Sequence, residues 1–288
     1  MIIAKLQGGL GNQLFQYAAA RALAEWYNTI LKVDFNGHKS DIARSYKLPF
    51  FNIPAEVVTN QEMTAFKKWY NEGVIGKIIS LLPFHLNPHY FKEPHFHFTP
   101  QVLELPDNVY LEGYWQSEKY FLPITDIIRR EVVLKKEYEV QNKELIDLIN
   151  QTNSVSLHVR RGDYVANPTT LKMHGICSLE YYAQAIAKIK EQVTKPYFFI
   201  FSDDPEWVIQ NLKLTDQYYI VSGKGYADYQ ELSLMSYCKH HIIANSSFSW
   251  WGAWLGKNPE KIVIAPQKWF SEFKGNTQDL LPQNWIKL

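Results

Sequence analysis

Five short apolar runs between residues 154 and 265 decide what this chain can fold into. They are SVSLHVR (154–160), YFFIFS (197–202), YYIVS (218–222), HIIAN (241–245) and KIVIA (261–265). Each is too short for a globular helix and too continuously apolar for a strand with one wet face. Helical patterns lie between them at 179–192, 206–212, 227–238 and 249–255. Strand alternating with helix predicts an α/β fold with a parallel sheet covered by helices on both faces. Ser178 is placed to cap the first of these helices. Asp204 is placed to cap the second, because the following Pro205 is accepted at a first helical position.

The chain opens in a similar way. Ile2 to Leu6 predicts a strand, Gly8, Gly9 and Gly11 a glycine loop, and Leu14, Ala18, Ala22 and Trp26 one face of a helix. A second strand over 30–35 ends near Asp34. From about 38 to 108 the pattern is irregular, with helices expected near 59–70 and 72–82 and a His- and Pro-rich loop at 83–100. A strand is expected at 109–115, then a polar helix at 135–151 that bridges to the next domain. Two domains are therefore expected, 1–150 and 151–288.

A chain of 288 residues can bury two cores. With 30 Lys and Arg against 29 Asp and Glu, it lacks the basic surplus that nucleic-acid binding needs, so no nucleic-acid partner is expected. Its two cysteines, Cys177 and Cys238, have no metal-ligand or CxxC spacing and read as free thiols of a reducing compartment. MIIAKLQGG reads as a strand, not a signal peptide, and no run approaches the ~20 apolar residues of a membrane span. A cytoplasmic location is expected. The amphipathic stretch 72–86 is read as a packed helix or, alternatively, as a peripheral contact with the inner face of a membrane.

Ligands of open parallel sheets bind outside the carboxyl ends of the strands. Here those ends carry Arg160-Arg161-Gly162-Asp163, Ser202-Asp203-Asp204, Ser222-Gly223-Lys224-Gly225 and Asn245-Ser246-Ser247-Phe248-Ser249. Arginine offers a planar fork of donors to phosphate oxygens. A serine-rich helix start adds hydroxyls, backbone N–H groups and the positive end of the helix dipole. Together these suit a pyrophosphate. Asp203 and Glu231 are candidates for the carboxylate that takes two N–H bonds from a guanine edge. Asp203-Asp204 is a poor metal site, since adjacent strand-end side chains diverge and no third ligand is evident. His85, His89, His95 and His97 have a spacing that zinc would accept, outside the expected donor domain. Gly9-x-Gly11 with Asp34 imitates a dinucleotide fingerprint, but Leu14 stands at the third glycine position.

GGLGNQLFQYAAARALA, HVRRGDY, FSDDPEW and LMSYCKHHIIANSSFSWWGAWL, in that order along nearly the whole chain, resemble the bacterial α-1,2-fucosyltransferases of glycosyltransferase family 11. The match is poorest at about 38–108. The resemblance implies a GT-B-like fold, two Rossmann-like domains facing a cleft, with an acceptor-side domain at 1–150 and a GDP-fucose-binding domain at 151–288. It implies GDP-β-L-fucose as donor and a galactose-terminated oligosaccharide or lipid-linked glycan as acceptor. It also implies an α-1,2 linkage formed with inversion, no cofactor and no metal. By position, His158 would lie near the nucleoside, and Arg160, with Arg161, would grip the pyrophosphate. Asn12 would reach the donor's sugar–phosphate end. Ser246, Ser247 and Phe248, after Asn245, would hold the β-phosphate and wall the site, and Glu231 is the nearest match to a guanine-contacting acid. Asp163 is the candidate general base, or else a fixed partner of the arginines. The competing readings are a NAD-dependent oxidoreductase built on the glycine loop, and a glycan-binding protein without activity, suggested by the 15% aromatic content.

Overall fold

The computed structural model describes residues 1–35, 45–71, 89–162, 165, 167–273 and 275–288. The expected elements at 72–82 and 83–88, His85 and Asp163 lie outside them. The chain divides into two compact units, Met1–Val132 with Gly275–Leu280, and Val133–Lys274 with Leu281–Leu288. The division falls at 132/133 and not at 150. The physical reason is the helix Lys143–Gln151, whose Leu145 and Ile149 pack with Phe199 and Phe201 in the second unit's core instead of bridging.

In the first unit, strand β1 (Ile2–Lys5) leads into helix α1 (Leu10–Trp26), then β2 (Leu31–Asp34), β3 (Glu56–Val57) and α2 (Asn60–Asn71). Strands β4 (Tyr90–Lys92) and β5 (Val109–Glu112) and helix α3 (Thr125–Glu131) follow. The sheet order is β3-β2-β1-β5-β4, and every pairing is parallel. Helix α1 is buried nearly all round, with Leu14 and Ala18 fully enclosed, while Trp26 is 78% exposed. Trp26 shares the period of the buried face but stands in the last turn, beyond the packed part of the helix. Tyr17 and Arg21 of α1 both bond Glu131, fastening α1 to α3.

The second unit begins with α4 (Lys143–Gln151) and β6 (Asn153–Val159). It continues through α5 (Pro168–His174), α6 (Leu179–Gln192), β7 (Pro196–Ser202), α7 (Pro205–Asn211) and β8 (Tyr218–Ile220). Helix α8 (Asp228–Tyr237), β9 (His240–Ile242), α9 (Ser247–Leu255), β10 (Val263–Ala265) and β11 (Ile286–Lys287) complete it. The order is β11-β10-β9-β6-β7-β8, again all parallel. Both faces of β6 and β7 are covered, as their unbroken apolar runs require. Val155, Leu157 and Val159 meet Tyr182, Ala185 and Ile189 of α6 on one side. Phe199 and Phe201 meet α4 and Leu234 and Met235 of α8 on the other. Ser178 and Asp204 cap α6 and α7 as expected, accepting from the N–H groups of Tyr181 and Trp207.

The serine-rich helix α9 lies directly against α8. A Cβ placed on Gly252 would stand 2.8 Å from Met235 Cβ and 2.9 Å from its Sδ. Gly252→Val should therefore cost about 1–3 kcal/mol through overpacking. Urea unfolding should show a lower midpoint with an unchanged slope.

Candidate active site at the switch point of the second sheet

From β6 the chain lays β7 and β8 on one side of the sheet and β9, β10 and β11 on the other. The strand order thus reverses between β6 and β9, where ligands of such sheets bind. The β6 end carries His158, Arg160 and Arg161, and the β9 end carries 245–249. The two ends meet, with the His158 and Phe248 rings 5.7 Å apart.

Asp203, at the end of β7, organises the arginine loop. Its Oδ1 accepts the Arg161 backbone N–H at 2.8 Å, and its Oδ2 pairs with Arg160 Nη1 at 2.9 Å. A Cβ on Gly162 would come within 2.8 Å of the same carboxylate. Asp203, a candidate for the guanine contact, is thus engaged with the loop through both carboxylate oxygens. Arg161 is also engaged. Its Nε lies 3.3 Å from Asp204 Oδ2 and its guanidinium 3.7 Å from the centre of the Trp207 ring. Arg160 is the more exposed of the two, at 30% against 15% of the side chain, and it is the one presented at the strand end.

His158 is buried, and its Nδ1 has no partner among the described residues. Burial, with Arg160 nearby adding to it and Asp203 opposing it, pushes the imidazole down to about 3, so it is neutral. Glu231, on α8, receives a hydrogen bond from Ser222 Oγ at 3.0 Å. Burial pushes its carboxyl up to about 7 despite that bond.

The three serines of α9 divide their work. Ser246 is buried and its Oγ caps the Phe248 N–H, while Ser249 is buried and bonds back to the Ser246 carbonyl. Ser247 is the partly exposed hydroxyl. No acidic residue occupies the first turn of α9, which keeps its positive end available to an anion. Asn245, expected to touch the donor, also ties loops together. It is buried, and its Nδ2 donates to the carbonyls of His174 and Trp269, joining three loops.

Asn12 belongs to the first unit, at the start of α1, where its Oδ1 accepts from Gln116 Nε2 at 2.7 Å. The sequence pattern predicts a strand to 115, whereas β5 ends at Glu112, so Gln116 lies in the loop beyond it. Among the described residues no cluster of three His, Cys, Asp or Glu side chains is placed to hold a metal. His95 and His97 stack on one another at 3.5 Å. No described helix is long and apolar enough to cross a membrane.

Two parallel-sheet units with an arginine loop and a serine-rich helix start at one switch point define a glycosyltransferase of GT-B-like fold. The chain belongs to glycosyl transferase family 11, whose description matches residues 1–288. It is 36% identical over 294 residues to an alpha-1,2-colitosyltransferase of Escherichia coli, covering 100% of this chain and 99% of that one. It is 32% identical over 304 residues to the O-antigen biosynthesis glycosyltransferase WbnK of Escherichia coli, covering 98% and 99%. The crystal structure of NodZ alpha-1,6-fucosyltransferase soaked with GDP-fucose shares the fold, with TM-score 0.54, 18% identity and coverage of 91% and 94%. Family membership replaces the oxidoreductase and non-enzymatic readings. The glycine loop is accordingly no dinucleotide fingerprint, and Leu14 fills the third glycine position as a fully buried side chain.

If Asp203 acts by holding Arg160, the two side chains work as one unit. Arg160→Ala should lower turnover by about 10²–10³. Asp203→Ala should lower it comparably, and the double variant should be little worse than either, which a double-mutant cycle on kcat measures. Glu231 gives a pH signature. A carboxylate that accepts N–H donors must be ionised, and its pKa of about 7 means it carries a proton below that pH. Affinity for GDP should rise from pH 6 to 8 more steeply in the wild type than in Glu231→Gln, as calorimetry at each pH would read.

Proposed function

We propose that this protein transfers L-fucose from GDP-β-L-fucose to the 2-hydroxyl of a terminal galactoside, forming an α-1,2 linkage with inversion in surface-glycan or O-antigen-type synthesis. The supporting observation is the meeting of the β6 and α9 ends. It sets an Asp203-aligned arginine and a helix N-terminus, free of acidic residues in its first turn, at one switch point. The second unit takes the donor-binding role and the first the acceptor-side role.

The chemistry follows from charge. The acceptor oxygen enters opposite GDP, forms the new bond at the anomeric carbon, and the bond to the β-phosphate oxygen breaks with its electron pair going to GDP. Negative charge grows on the leaving diphosphate. Arg160 and the Ser247 hydroxyl and N–H of α9 are fixed donors for it, and they act most strongly where that charge is greatest. Neutral His158 and the Phe248 ring wall the nucleoside end. Glu231 receives the guanine N–H pair. The acceptor proton passes to a base, for which Asp163 is the proposal carried by the sequence. The positive groups are the protein's own, so no metal is proposed.

The colitosyltransferase relative favours a second donor. Colitose is fucose without its 3-hydroxyl, so GDP-colitose would fit the same diphosphate and guanine contacts. Free and lipid-linked galactosides present the same glycan chemistry to this reaction.

Thermal denaturation with GDP, UDP, CMP and NAD should show stabilisation by GDP alone. After exhaustive EDTA treatment and desalting, transfer from GDP-fucose to a β-galactoside should be undiminished. Loss restored by manganese or magnesium would withdraw the role given to Arg160. Preference for GDP-colitose over GDP-fucose in competition would move the donor assignment to the second reading.

A further inference from the structure

The first sheet has a switch point of its own. From β1 the chain lays β2 and β3 on one side, and β5 and β4 stand on the other, so the order reverses between β1 and β5. The segments leaving these two strands carry Gly8-Gly9 with Asn12, and Gly113 to Gln116. They are joined there by the Gln116–Asn12 hydrogen bond. Gln116 is 7% exposed, and its second amide atom, Oε1, is buried without a partner among the described residues. A buried acceptor left unpaired is costly and calls for an explanation.

Beside it, Glu93, just beyond β4, accepts the backbone N–H of Tyr114 at 2.7 Å and of Trp115 at 3.0 Å. The turn between is strained. Trp115 has φ of 55°, a left-handed conformation that bulky residues rarely adopt, and such strain collects at functional positions. It leaves the Tyr114 ring 39% exposed while Trp115 is buried. Burial also pushes the Glu93 carboxyl up to about 7.

The chemistry of this end is the reverse of the second unit's. It offers an amide oxygen, a carboxylate and an open aromatic ring. Of the nearby lysines, Lys5 and Lys92 are already directed at Glu112. Such a set repels phosphate and suits a neutral ring that donates several hydroxyl hydrogens. We propose that the β1–β5 switch point binds the acceptor sugar, with Gln116 Oε1 and the Glu93 carboxylate accepting its hydroxyls and Tyr114 stacking on its apolar face. This rests on the sugar-transfer reading above and adds the residues that recognise the acceptor.

The test is steady-state kinetics of Tyr114→Ala, Glu93→Gln and Gln116→Leu with GDP-fucose and a β-galactoside. Donor hydrolysis without acceptor, and stabilisation by GDP, are measured alongside. Each variant should raise the acceptor KM about tenfold or more, the scale of one lost hydrogen bond or stacked ring. In Tyr114→Ala and Glu93→Gln, donor KM and hydrolysis should stay within about twofold of wild type. Tyr114→Ala removes an exposed ring and decides the matter if Glu93→Gln fails to fold. An unchanged acceptor KM in folded Tyr114→Ala, or equal rises in donor and acceptor KM in that variant, would overturn the proposal. Absence of transfer by the wild type to any galactoside would instead remove the reading on which it rests.

Discussion

The Asp203 carboxylate is the interaction on which the second unit's site depends. An arginine at a strand end has many rotamers and loses entropy when held in one. Asp203 removes that freedom before any ligand arrives. One oxygen fixes the loop through the Arg161 N–H and the other fixes the Arg160 guanidinium. Glycine at 162 is required because the carboxylate occupies the space of a side chain there. The paired arginines thus have different tasks. Arg161 is stacked on Trp207 and tied to Asp204, the cap of α7, so it anchors the loop to the next helix. Arg160 stands at the strand end as the more exposed of the two.

Protonation states around this loop are set mainly by burial. His158 is fully buried beside the cationic Arg160, so it stays neutral. Glu231 is held near neutrality by burial, with a single hydroxyl to stabilise its ionised form. Donors from a bound base would complete its hydrogen bonding and favour the anion. Neither state follows from residue type alone.

The two units repeat one architectural idea with opposite chemistry. Each is a parallel sheet whose order reverses once, and each reversal gathers polar groups at the carboxyl ends of strands. The second presents a guanidinium and a helix start without first-turn acids. The first presents amide and carboxylate oxygens and an exposed tyrosine. A reaction that joins an anionic donor to a neutral polyhydroxyl acceptor needs these two kinds of surface.

The sequence by itself determined the parallel α/β class and, to within a residue or two, the second-half helices at 179–192, 206–212, 227–238 and 249–255, but not α5 at 168–174. Apolar runs such as YFFIFS are legible because burial on both faces demands an unbroken pattern, and caps such as Ser178 and Asp204 act within a few residues. The positions of Arg160, His158, Glu231 and the α9 serines in the fold were legible for the same reason, since each lies next to an element boundary. Only the tertiary structure decided which of these residues are available. Asp203 turned to Arg160, Asn245 to the carbonyls of His174 and Trp269, and Ser246 and Ser249 to their own helix. The short strands β3, β4 and β11 were also illegible, because two or three residues hold no period and are defined by the neighbour they pair with. Glu93 and Gln116 stayed hidden with them. A hydrogen bond between residues 104 positions apart is a property of the folded sheet, and no local pattern encodes it.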